Sequence, residues 1–165
     1  MSEYSFITQV NIADRASLRQ RSLLNKQLPR ARLVQLCNDA RAVGKRVGFT
    51  SGAFDLIHKG HVTYLEEARR LCDILIVGVN SDLSVKRYKS RQRPIQNEQV
   101  RLTVVAALES VDFVFLLQES NTNRSVEMLR PDVYIKGGDY TVERLSSRRI
   151  VESYGGKVVL TSHIP

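Results

Sequence analysis

The chain has 165 residues, 42% hydrophobic and 25% charged, with a formal net charge of +8, which fits one compact domain with a real core and at most one active centre. Its two cysteines, Cys37 and Cys72, lack C-x-x-C spacing, which argues against a disulfide framework or zinc knuckle and for buried, reduced thiols in a cytoplasmic protein. No apolar run approaches bilayer-spanning length, and MSEYSFITQVNIADRA lacks the features of a signal peptide, so the expectation is a soluble, non-exported protein without a membrane partner.

Residues 1–32 hold Arg15, Arg19, Arg21, Lys26, Arg30 and Arg32 against Glu3 and Asp14, half of the net charge. Residues 1–30 therefore read as a basic N-terminal extension outside the core, more commonly a solvated surface than an RNA-binding arm. No aromatic stacking pattern accompanies the charges, so no nucleic-acid partner is expected. From residue 31 helical and strand-like segments alternate. ARLVQLCNDARAVG is helix-periodic and stops at Gly44, a fitting C-cap. RVGFTS reads as the first strand, and a helix from about 60 to 72 leads to the second, DILIVGVN. The helical NEQVRLTVVAALES precedes the third strand, VDFVFLL; NRSVEMLR and VERLSSRRIVESYG are helices around the strands DVYIKGG and KVVLTS.

These strands are nearly continuous runs of Val, Ile, Leu and Phe, as a sheet covered on both faces requires. The pattern predicts an α/β fold over residues 31–165, a Rossmann-like, doubly wound, five-stranded parallel sheet. Ligands of such sheets bind beyond the carboxyl ends of the strands at the switch point.

SGAFDLIHKGH follows the first strand in that position and opens a helix. Such a turn offers backbone N–H groups and a helix N-terminus, an anion site. Gly52 would let the backbone approach a phosphate, and Gly60 removes a side chain where the helix begins. His58 and His61, three apart, face one anion if the turn is helical. Imidazoles there can donate to phosphate oxygen and carry positive charge as phosphorus becomes more anionic. If the attacking group is itself a phosphate, no protein nucleophile is needed. H-x-G-H alone is about as often a satisfied helix-start pair, and no Cys or third nearby His completes a zinc set. Asn80, Asp82, Lys86 and Lys89 of NSDLSVKRYK follow the second strand within reach of a substrate, although KRYKSRQR alone reads as a solvated basic loop. Gly137 and Gly138 of KGGDY would bring backbone close to a base or ribose, with Asp139 as acceptor; an ordinary glycine turn is the plainer alternative.

SGAFDLIHKGH resembles the G-x-F-D-x-x-H-x-G-H signature of the cytidylyltransferase-like nucleotidyltransferases. The likeness continues through YLEEARRLCDILIVGVNSDLSVKRYK, RPIQNEQVRLTVVAALESVDFV and LRPDVYIKGGDY. Over about residues 33–161 the longer pattern is similar to the adenylyltransferases that make ADP-heptose for the lipopolysaccharide core. The resemblance implies transfer of AMP from ATP to D-glycero-β-D-manno-heptose 1-phosphate, with pyrophosphate as the other product. It implies His58, His61 and Lys86 as catalytic residues. Thr50, Ser51, Gly52, Ala53, Phe54, Gly60, Arg101, Lys136, Gly137, Gly138 and Asp139 would bind nucleotide or phosphate, Arg101 by facing the phosphates. Asp55, Asn80, Asp82 and Lys89 would meet the substrate, with orientation of the loop an equal alternative for Asp55. Magnesium is expected to travel with ATP, since no carboxylate cluster is built to hold it. A homodimer and a separate sugar kinase are the further partners implied.

The family continues after its fifth strand into a Ser-Thr-rich segment, whereas this sequence ends at VVLTSHIP. The domain is therefore expected to lack that segment, with Thr161 and Ser162 too early in the pattern to replace it. Three rivals stay open: a cytidylyltransferase acting on glycerol 3-phosphate or another small phosphate, a non-catalytic nucleotide-binding protein, and an RNA-binding module.

Overall fold

The five strands are β1 (Val47–Gly52), β2 (Ile74–Asn80), β3 (Phe113–Leu117), β4 (Val133–Lys136) and β5 (Lys157–Leu160). They form one parallel sheet in the order β3-β2-β1-β4-β5 in a computed structural model that describes residues 23–137, 141 and 145–161. The helices are α1 (Leu23–Lys26), α2 (Arg30–Ala42), α3 (Lys59–Arg70), α4 (Asp82–Tyr88), α5 (Glu98–Ala107), α6 (Asn123–Leu129) and α7 (Arg148–Ser153). The chain runs outward from β1 to β3, then returns to the other side of β1 with β4. That reversal makes the carboxyl ends of β1 and β4 the switch point.

The apolar runs explain the layers. Every residue of β2 is buried. Ile74 and Ile76 pack with Leu33, Leu36, Cys37 and Ala40 of α2, with Val126 and Leu129 of α6 and with Val151 of α7. Leu75, Val77 and Val79 pack on the other face, with Leu65 and Ala68 of α3 and Leu102, Val105 and Ala106 of α5. Alternate residues thus serve two cores, as a strand covered on both faces must. Both cysteines are free and buried, and burial pushes their thiols up to about 12. No helix among the described residues is long and apolar enough to cross a membrane.

Gly44 follows α2 at φ 71, a left-handed position that suits glycine. Two elements differ from the sequence reading. Of KRYKSRQR, read as a basic loop, Lys86, Arg87 and Tyr88 belong to α4, which is capped by the Ser81 side chain accepting from the Ser84 N–H. Residues 26–30, assigned to an extension outside the core, belong to the folded body. The Lys26 ammonium is buried and donates to the carbonyls of Leu108 at 3.2 Å and Val111 at 2.8 Å, and Leu28 N–H donates to Val114 O at 3.1 Å. Lys26 meets backbone acceptors at the end of α5, and the chain beside it covers part of the open edge of β3. Residues 1–22 lie outside the described residues.

Candidate active site

β1 delivers Ser51 and Gly52, and Phe54 follows at φ 49, in the left-handed region that bulky residues rarely adopt. Such a backbone costs on the order of 1 kcal/mol or more. Packing holds it: Phe54 is buried, and its ring centre lies 5.5 Å from that of His61. Gly52 leaves room for the Phe54 ring: a Cβ there would lie 3.1 Å from it, and the ring would have to shift by a few tenths of an ångström.

His58 is the N-cap of α3, its Nδ1 accepting the Gly60 N–H at 3.1 Å. A ring nitrogen that accepts carries no proton, so neutral His58 holds its proton on Nε2. One turn on, the His61 ring lies 4.0 Å from that of His58, centre to centre. Burial, then the nearby His58 and Lys89, hold the His61 pKa below its ordinary value. Its Nδ1 is buried and has no hydrogen-bond partner among the described residues.

A cavity of about 550 Å³ opens over the carboxyl ends of the strands. Ser51, Gly52, Ala53, Phe54 and His61 line it from β1 and the turn into α3, with Lys136 and Gly137 from the end of β4. Asn80 and Lys89 line it from β2 and the end of α4. Lys136 is 7% exposed, and its ammonium donates to Ser51 O at 3.1 Å and Ser51 Oγ at 2.8 Å, tying β4 to β1. Burial pulls its pKa down to about 8. One wall is thus basic and helix-capped, suited to phosphates.

Several expected residues are not brought to this cavity. Arg101 is 0% exposed, and its guanidinium donates to Gln96 O at 2.9 Å, Ala53 O at 2.5 Å and Asp82 Oδ1 at 2.7 Å. It therefore holds the cradle rather than facing the phosphates, because those acceptors occupy its planar fork. Asp82 is its partner and does not line the cavity. Asp55 turns the same way: it accepts from the N–H groups of Ile95 at 2.8 Å and Gln96 at 2.9 Å, and from Arg93 at 2.8 Å. Of its two readings, the loop-orienting one matches this geometry. The Thr50 hydroxyl is bonded to that of Tyr64, the Gly60 N–H is taken by His58, and Lys86 is exposed on α4 away from the cavity lining. Gly138, Asp139 and Ser162 lie outside the described residues; Thr161 is buried and donates to Lys136 O at 3.3 Å.

Tyr64, Tyr88, Leu117, Ser120 and Thr122 also line the cavity and were missed. Tyr64 sits three residues beyond His61 on one helical face, and Leu117, Ser120 and Thr122 lie at or just beyond the carboxyl end of β3. The helical spacing and the switch-point rule already applied to β1 and β2 could have found them.

The family profile described as cytidylyltransferase-like matches residues 49–164. The chain belongs to the cytidylyltransferase-like family. It is a nucleotidyltransferase domain with the Rossmann-like sheet described above. Among curated relatives it is 52% identical to the bifunctional protein HldE of Bradyrhizobium sp. (strain ORS 278), over 73% of this chain and 24% of that protein. It is 44% identical to HldE of Trichlorobacter lovleyi, over 94% of this chain and 32% of that protein. The chain thus spans about a quarter to a third of the length of these relatives. A crystal structure of the lipopolysaccharide core biosynthesis protein from Thermoplasma volcanium GSS1 matches at a TM-score of 0.62 and 27% identity, covering 73% of this chain and 98% of that one. Pantoate-beta-alanine ligase from Francisella tularensis, at a TM-score of 0.56 and 13% identity over 84% of this chain and 67% of that one, shares the fold.

Proposed function

We propose that this domain transfers AMP from ATP to D-glycero-β-D-manno-heptose 1-phosphate, giving ADP-heptose and pyrophosphate. The observation that carries nucleotidyl transfer is the paired imidazoles, 4.0 Å apart at the start of α3: His61 lines the cavity together with Lys89 and Lys136, and His58, which is not among the lining residues, lies against the His61 ring. The acceptor is supported by the HldE relatives and by the run of matching motifs through KGGDY.

An oxygen of the acceptor phosphate attacks the α-phosphorus, a new P–O bond forms, and the bond to the β-phosphate oxygen breaks as pyrophosphate leaves. The attacking oxygen is ionised at neutral pH, so no side chain has to remove its proton. His58 donates from Nε2 toward the phosphates, and His61, neutral in the free protein, gains charge as the anion approaches. Lys89 and Lys136 offset repulsion between the two anions. Phe54 and Gly52 set the cradle, with Arg101 and Asp55 fixing it from behind.

Among the described residues no three His, Cys, Asp or Glu side chains gather as a cation site. In this proposal magnesium enters with ATP as the countercharge of the triphosphate. A sugar kinase that supplies the sugar 1-phosphate, and a homodimer in the cytoplasm, are the remaining parts of the proposal.

Pyrophosphate release with ATP or CTP, against heptose 1-phosphate or glycerol 3-phosphate, tests the reaction. Turnover with ATP and heptose phosphate, lost in His58→Ala/His61→Ala, is expected. Preference for CTP and glycerol 3-phosphate would replace this reading with the cytidylyltransferase one, and ATP binding without turnover would replace it with a nucleotide-binding protein.

A further inference from the structure

Asn80 ends β2, lines the cavity and is 8% exposed. Its amide has a fixed direction. Nδ2 donates to Ser84 Oγ at 3.2 Å, and Ser84 Oγ donates to Glu119 O at 3.3 Å. A carbonyl only accepts, and a hydroxyl has one proton, so Ser84 can only accept from Asn80. The NH2 side of Asn80 therefore faces Ser84.

Both ends of this relay are anchored. The Ser84 N–H donates to Ser81 Oγ at 3.2 Å within the cap of α4. Glu119 meets Arg30 through two hydrogen bonds of 2.5 and 2.6 Å, and the Arg30 guanidinium stands 5.4 Å over the Phe115 ring. The start of α2 thus braces the loop after β3, and that loop sets the amide.

We propose that Asn80 is a specificity-determining residue: with its NH2 tied to Ser84, its Oδ1 is presented to the cavity as a fixed acceptor for a hydroxyl on the carbon skeleton of the phosphorylated acceptor. This rests on the nucleotidyl-transfer reading and adds the chemistry by which the acceptor is read. The favoured class is a polyol or sugar phosphate with a hydroxyl donor near the phosphate. A deoxy analogue leaves Oδ1 unpaired, and a carboxylate in that position repels it. Ser120 and Leu117 line the same cavity and supply an adaptable hydroxyl and an apolar surface for the rest of the skeleton.

The test compares kcat/KM, with ATP as donor, for heptose 1-phosphate and its monodeoxy analogues in the wild type, Asn80→Ala and Ser84→Ala. Thermal unfolding confirms that each variant is folded. In the wild type, one deoxy position is expected to cost roughly ten- to a hundredfold, the loss from an unpaired buried acceptor. Asn80→Ala should shrink that ratio to about twofold while leaving KM for ATP in place. Ser84→Ala, which releases the amide to turn, should shrink it in the same direction even if Asn80→Ala fails to fold. Unchanged deoxy discrimination in either folded variant overturns the assignment while sugar-phosphate turnover keeps the parent reading intact. Absence of turnover with every sugar phosphate in the wild type overturns both.

Discussion

His61 titrates against its surroundings. Burial, then His58 and Lys89, lower its pKa from 6.5, so the unfolded chain takes up the proton first. Stability from this group is then present above about pH 6.5 and lost as pH falls through the folded value. A bound triphosphate reverses the balance. The His61 Cε1–H resonance should titrate below 6.5 in the free protein and move up with ATP; an unmoved midpoint would separate His61 from the phosphates. Gly52→Ala places a methyl 3.1 and 3.2 Å from the Phe54 ring, which cannot yield without disturbing its packing on His61. The expected loss is about 1–3 kcal/mol of stability, read by urea unfolding, with weaker ATP binding by calorimetry. The closeness of the two imidazoles was legible because residues three apart meet once the turn is helical. The direction of Arg101 was not, because its place facing the phosphates came from the resemblance, and a matching motif position does not fix which way the fork points.

Among the elements, the brace between α2 and the loop after β3 has its own pH signature. The Arg30 hydrogen bonds are the largest influence on Glu119 and hold its carboxyl below 4.5. Its contribution is present above about pH 4.5 and lost as pH falls through the folded value. Glu119→Gln should cost about 1–2 kcal/mol near neutral pH and flatten that part of the acid limb in chemical unfolding; an identical acid limb would show that the pair contributes nothing. Close packing between β1 and the end of α3 gives a second test. A Cβ at Gly48 would lie 2.5 Å from Cys72 Sγ, so Gly48→Ala should cost about 1–3 kcal/mol, with Cys72→Ala restoring part of it. The strands were readable because continuous apolar runs have one physical use, burial on both faces. Short α4 was not, since its seven residues end in Lys86, Arg87 and Tyr88 and resemble a basic loop; its signal was the Ser81 cap. The packed residues 26–30 were hidden because a buried lysine is recognisable only once the carbonyls it meets are in place.

Across the whole molecule, Arg101 joins three segments: the cradle at Ala53, the chain before α5 at Gln96 and the start of α4 at Asp82. Arg101→Met would leave buried acceptors without a donor and should cost about 3–5 kcal/mol, seen as a lowered Tm. The parallel sheet and the position of the cavity followed from the alternation of helices and strands together with the switch-point rule. Which wall faces which half of the reaction did not, because side-chain direction depends on partners distant in sequence, as with Asp55 and residues 93–96. The reaction proposed for this site begins with attack on the α-phosphorus of ATP. It is tested most directly by following ³²P from α-labelled and γ-labelled ATP into products with heptose 1-phosphate. Adenylyl transfer at this site predicts the α label in a sugar nucleotide and the γ label in pyrophosphate, with both lost in His58→Ala/His61→Ala. A γ label in the sugar product, or α-label transfer that survives without the two histidines, would contradict it.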